Sequence, residues 1–228
     1  TADYNTALGS TALDANTTGA SNTSVGQASL STNTTGGFNT AVGRLALYAN
    51  TTTSYITAVG YNSLSANTTG TENTAVGAFS GDAITTGAQN TAVGYGALTS
   101  ATTGNRNVAV GSNALDALTT THYNIAIGDN ALGANTGTGN VGIGDAALTA
   151  NTTANYNVAV GFEALKVNTT GTQNIAVGTY ALDANTDAAN NVGIGHSALT
   201  ANTTGANNVA LGSNALDSNT TGAANVAI

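Results

Sequence analysis

The chain has no cysteine, proline, methionine or tryptophan among its 228 residues, and charged residues make up only 6% of it. Each absence removes a class of protein. Without cysteine there is neither a disulfide framework nor a thiolate metal site. Three cations, Arg44, Arg106 and Lys166, stand against 11 acidic residues for a net charge of −8. No basic face for nucleic acid can be assembled from them. Apolar runs stop at four or five residues, so no segment spans a membrane as a helix. Scarce charge and absent proline also separate the chain from disordered sequences. What remains is 29 glycines and 41% hydrophobic residues, mostly Ala, Val and Leu. Such a chain buries surface only in thin layers.

Those residues are arranged periodically, and internal repeats govern the fold wherever they occur. A glycine preceded by an aliphatic residue recurs every 17 residues from Gly9 to Gly128, then after one step of 16 at Gly144, and again every 17 to Gly212. A further copy opens at Asn225 and breaks off at Ile228, which makes residues 1–228 read as one array excerpted from something longer. Around this anchor the columns are strict. The residue before it is always aliphatic, and the residue two before is Ala, Ser or Gly. Asn stands four before it in every copy except at Ile56, and Leu stands four after it except at Gly81.

A period of 17 is too short for helix-pair solenoids, whose units run about 33 to 47 residues. It fits one coil of a parallel β-solenoid. In N-[TV]-A-V-G the positions alternate faces as in a strand, and A-L-x-A is expected to form a second short strand. Gly and the N-T-T-G segment turn the corners. Missing proline suits a sheet in which each coil donates hydrogen bonds to the next. The expectation is an all-β parallel β-solenoid of about 13 coils, a rod of about 60 Å at the usual strand spacing.

Placing the aliphatic residues and Leu in the core leaves the small column pointing outward. A stripe of small residues lets another backbone approach, so Ala109, Ala126 and Ala159 are expected to pack between chains, most simply in a homotrimer. The rival reading is that small residues fit tight corners. The Asn column, including Asn73, Asn90, Asn107 and Asn124, is expected to form a hydrogen-bonded ladder. Three before the anchor, the first six copies carry Thr (Thr6 to Thr91) and all later ones Val or Ile, from Val108 to Val226.

The word N-[TV]-A-V-G-x-x-A-L resembles the head repeats of trimeric autotransporter adhesins. It is more similar still to the N-T-A-V-G-x-x-A-L-x-A-N-T-T-G arrays of phage tail fibres and related long surface proteins. The resemblance covers essentially the whole chain. It implies a parallel β-roll, left-handed in the adhesin heads, assembled as a trimeric shaft, extracellular on a virion or bacterial surface. A receptor would be met through a tip outside these residues. The 17-residue unit is longer than the usual adhesin-head repeat.

Chemistry finds little footing. His122 and His196 lie about four coils apart and cannot share a catalytic site. Acidic residues are scattered, with Asp129 and Asp145 on neighbouring coils as the best candidate metal pair; solvated surface acids are the simpler reading. No cofactor is implied, and a structural, non-enzymatic role is expected. The N-T-T words also match the N-glycosylation sequon, although a turn accounts for them equally. Regular Thr pairs at those corners raise ice binding as an alternative function, beside an adhesin head that binds by its lateral face. Aromatics cluster in two columns, five before the anchor (Tyr4, Phe38, Tyr55, Tyr123, Tyr156) and just after it (Tyr61, Tyr95, Phe162), and read as packing plugs over the turns.

Overall fold

The computed structural model describes residues 2–228, and every regular element among them is a short β-strand. The chain divides into two units, residues 1–113 and 114–228, each a parallel β-solenoid built from the same coil. The first holds β1 (Thr6–Leu8), β2 (Thr23–Val25), β3 (Thr40–Val42), β4 (Thr57–Val59), β5 (Thr74–Val76), β6 (Thr91–Val93) and β7 (Val108–Val110). The second holds β8 (Ile125–Ile127), β9 (Val141–Ile143), β10 (Val158–Val160), β11 (Ile175–Val177), β12 (Val192–Ile194), β13 (Val209–Leu211) and β14 (Val226–Ala227). Within each unit, strands pair in sequence order, parallel and in register. Thr23 sits between Thr6 and Thr40, and Val158 between Val141 and Ile175. Like residues therefore stack in columns.

The strands alternate faces as expected, but the inward face is the opposite one. Ala41, Ala58, Ala75, Ala109, Ala126 and Ala159 are fully buried within the single chain. The flanking Val, Ile and Thr residues lie half-buried or exposed on the outside. Ala109, Ala126 and Ala159 therefore cannot pack against a neighbouring chain. The coil is too narrow for anything larger there. At Gly142 and Gly193 a β-carbon would already lie 3.1 and 3.3 Å from Cγ of Leu132 and Leu182. The interior of a coil is two small residues, one Leu and two Asn. Where Ser replaces Ala, its hydroxyl finds a partner inside, as in the 2.6 Å bond between Ser24 and Ser29.

The A-L-x-A segment is not a strand either. It is a run of turns, with Leu in the left-handed region at φ 48–56° in Leu30, Leu64, Leu98 and Leu199. The residue two before it adopts the same conformation, as do most residues five before the anchor. For L-amino acids this region costs roughly 1–2 kcal/mol per residue. Burying the Leu side chain stabilises by about 1.5–3 kcal/mol, and its N–H still bonds the next coil: Leu30 donates to the Ala46 carbonyl at 2.9 Å. The anchor glycines turn at φ near 135° and also touch coil to coil. A β-carbon on Gly26 would lie 2.6 Å from the Gly43 carbonyl carbon.

The single 16-residue step is absorbed at one corner. In N-T-T-G the Asn side chain bridges three residues, as Asn67 does to the Gly70 carbonyl at 3.0 Å. In the shortened coil Asn135 reaches Gly137 instead, donating to its carbonyl and accepting from its N–H, both at 3.1 Å. One Thr is missing from the corner, and the strands on either side stay in register.

Candidate functional site

Two features of the coil are candidates for function: the polar ladders inside and the flat strand face outside. The Asn four before each anchor is buried and joins adjacent coils. Asn73 Oδ1 accepts from the backbone N–H of Asn90 at 2.9 Å, and Asn90 Oδ1 from that of Asn107 at 3.0 Å. The same carboxamides donate forward, Asn73 to the Gly87 carbonyl at 2.7 Å and Asn90 to the Gly104 carbonyl at 2.8 Å. In the second unit Asn124 Oδ1 accepts from the Asn140 N–H, and Asn124 Nδ2 donates to the Gly137 carbonyl, both at 3.0 Å. The contacts thus run chiefly from side chain to backbone. Ile56 donates its backbone N–H to Asn39 Oδ1 at 3.0 Å but has no carboxamide to continue the ladder.

A second ladder escaped the sequence reading. The Asn of N-T-T-G is also inside, and its carboxamides bond one another directly: Asn50 to Asn33 at 2.9 Å, Asn168 to Asn151 at 3.0 Å, Asn185 to Asn168 at 2.9 Å. It lapses at Ile84 and Ala101 in the first unit and at Leu118 in the second, all buried. The sequence signal was there, as I-T-T, A-T-T and L-T-T in place of N-T-T. Burial of Asn33, Asn50, Asn67, Asn151, Asn168 and Asn202 removes them as glycan acceptors in the folded chain.

The corner threonines are likewise committed to the scaffold. Thr17, Thr34, Thr68 and Thr85 each donate a hydroxyl to the carbonyl of the corresponding Thr one coil on, at 2.9–3.1 Å. In the second unit Thr152, Thr169 and Thr203 do the same at 3.0–3.1 Å. These first threonines of the corner pairs are rungs, whereas the second of the pair, such as the exposed Thr69, stands at the surface.

The outward strand face is different. In the second unit it consists of two aliphatic columns, Ile125 to Val209 and Ile127 to Leu211. Ile127, Ile175 and Leu211 are 39%, 39% and 45% exposed. In the first unit one aliphatic column runs from Leu8 to Val110, while its neighbour is Thr6, Thr23, Thr40, Thr57, Thr74 and Thr91, followed by Val108. Among the described residues these six hydroxyls make no hydrogen bond within the protein. No charged residue interrupts either face.

Asp129 and Asp145 are both exposed, and among the described residues no group of three or more His, Asp or Glu converges as a metal site. His122 and His196 each lie edge-on to a tyrosine, with centroids 6.2 Å from Tyr123 and 6.3 Å from Tyr180. The aromatic columns are surface groups. Phe38 and Tyr55, 57% and 65% exposed, stack at 5.2 Å, and Phe79 packs edge-on between Tyr61 and Tyr95. Tyr156 does cover a turn, since a β-carbon on Gly139 would lie 2.8 Å from its ring. Burial raises the Asp82 carboxyl above its ordinary range, and Asn62 bonding it at 3.5 Å opposes that shift only in part.

No protein-family model matches the chain, and no curated protein is significantly similar to it. The fold and the geometry of its faces carry the functional reading.

Proposed function

We propose that this chain is a structural, non-enzymatic segment of an extracellular or virion fibre that assembles with copies of itself, most simply as a homotrimer. The observation that carries the reading is the strand face of the second unit. Six successive strands there, β8 to β13, present two unbroken columns of Val, Ile and Leu to the outside. Contiguous exposed apolar surface of this kind marks an association site, and identical coils make self-association the simplest partner. The outward aliphatic columns take the role that the small column was expected to play. The likeness of the repeat to tail-fibre and adhesin arrays supports the extracellular setting and a spacing role, with recognition left to a tip beyond these residues.

Light scattering on the purified chain tests the association. The expected result is a trimer mass, falling to the monomer mass when Val158 and Ile175 are replaced together by Lys. A monomeric wild-type chain, or a double variant that remains trimeric, removes this reading.

A further inference from the structure

The two units present different outward faces, and the face of the first unit is suited to a different ligand. We propose that the column Thr6–Thr23–Thr40–Thr57–Thr74–Thr91, with the aliphatic column Leu8 to Val93 beside it, binds the surface of ice. This goes beyond self-association and does not rest on it.

Three observations carry the inference. The six threonines are paired strand to strand without a register slip, Thr6 with Thr23 and so on to Thr74 with Thr91. Their oxygens therefore repeat at the strand spacing of about 4.8 Å along the ladder, with the aliphatic residue about 6.6 Å away along each strand. That interval along the ladder is close to the oxygen repeat of the hexagonal ice surface. Secondly, the hydroxyls are uncommitted within the protein, whereas Thr17, Thr34 and Thr68 at the corners spend theirs on the next coil. Thirdly, the threonines are β-branched residues on short in-register strands and hold few χ1 states, so the array is ordered before it meets a ligand. Methyl groups beside each hydroxyl restrict the orientation of nearby water, and the hydroxyls fix its position by hydrogen bonds.

A sister chain is the weaker occupant of this face. Burying six hydroxyls against an identical column costs their hydration, a penalty that the aliphatic face of the second unit does not carry. No charged group on the face suits it to an ionic ligand, and no aromatic ring stands in either column for a sugar to stack on.

Thermal hysteresis and ice-crystal shape, measured on the full chain, test the proposal. Wild type is expected to hold a concentration-dependent gap between melting and freezing and to grow faceted crystals. Thr57→Lys, in the middle of the face, is expected to reduce the gap several-fold. Thr69→Lys, on an exposed corner of the adjacent coil segment, is expected to leave it unchanged. Circular dichroism checks the fold; if Thr57→Lys fails to fold, Thr57→Tyr, which keeps a strong strand preference, replaces it with the same expected loss. No hysteresis in wild type, hysteresis that survives both Thr57 variants, or an equal loss in Thr69→Lys overturns the proposal.

Discussion

The backbone of this chain is unusual residue by residue. Each coil places about three residues in the left-handed region besides its anchor glycine, and most are not glycine. Asn at Asn62, Asn113, Asn130 and Asn214, all in one column with φ between 51 and 59°, was a legible sign of that conformation, because Asn tolerates it best after Gly. Leu four after the anchor gave no such sign, since its burial is what offsets the strain. Two substitutions in the second unit separate the effects. Gly161→Ala should cost on the order of 3 kcal/mol or more, because its β-carbon would stand 2.6 Å from the Gly178 carbonyl carbon. Ala146→Gly, at φ 55°, should leave the melting temperature unchanged or raise it, by relief of strain of about 1 kcal/mol set against chain entropy. At Asp82 the raised carboxyl pKa means that the folded chain binds this proton more tightly than the unfolded chain. Its contribution to stability is therefore present at low pH and lost as pH rises through the carboxylate range. Asp82→Asn is expected to remove that part of the decline, measured as melting temperature against pH.

At the level of the coil, the period, the strand and the Asn ladder were legible, and the direction of the strand was not. Alternation divides Thr74, Ala75 and Val76 into two sides but does not say which side is inner. Size ordinarily decides, with Val in and Ala out. Here the width of the coil decides instead: its far wall, with Leu and a second small residue, already fills the space. The second strand was misread for a related reason. A-L-x-A has apolar residues two apart, as a strand would, but successive left-handed residues fold it into turns that bring the Leu inward. The ladder is the coil's main polar investment. Asn90→Ala would leave the Asn107 N–H and the Gly104 carbonyl without their side-chain partner. A loss of about 2 kcal/mol or more follows, because a buried group left unpaired costs its desolvation. Equilibrium denaturation of the variant measures it, and an unchanged midpoint would show the ladder to be incidental.

Across the molecule, one kind of coil does all the work, and every coil leans on its immediate neighbours. Stability in such arrays is a sum of coil and interface terms. Local departures are consequently tolerated where neighbours compensate, as at Ile56, at Ile84 and Ala101, and in the shortened corner at Asn135–Gly137. The change from Thr to Val three before the anchor was visible in the sequence, but its meaning was not. On an inner position it would mean a drier core in the later coils. On the outer face it instead divides a hydroxyl-bearing surface from an aliphatic one, and the different partners proposed for the two units rest on that division. Whatever either face meets, the net charge of −8 is carried elsewhere on the coils.

The buried carboxamides also bear on how long such a molecule lasts. Asparagine hydrolyses to aspartate by attack of the following backbone nitrogen, fastest when glycine follows, and no Asn in this sequence precedes a Gly. Both ladders are followed almost entirely by Thr, Val or Ile, which crowd that nitrogen, and the buried rungs are held by bonds on both oxygen and nitrogen. Chemical ageing should begin outside the ladders, at the exposed Asn113, Asn130 and Asn214, each followed by Ala, and among the rungs at the half-buried Asn16 and Asn219. Conversion of an inner rung such as Asn168 would set a carboxylate facing the Gly171 carbonyl in place of the amide that now donates to it at 2.9 Å. The same side chains that join coil to coil therefore determine the shelf life of the whole.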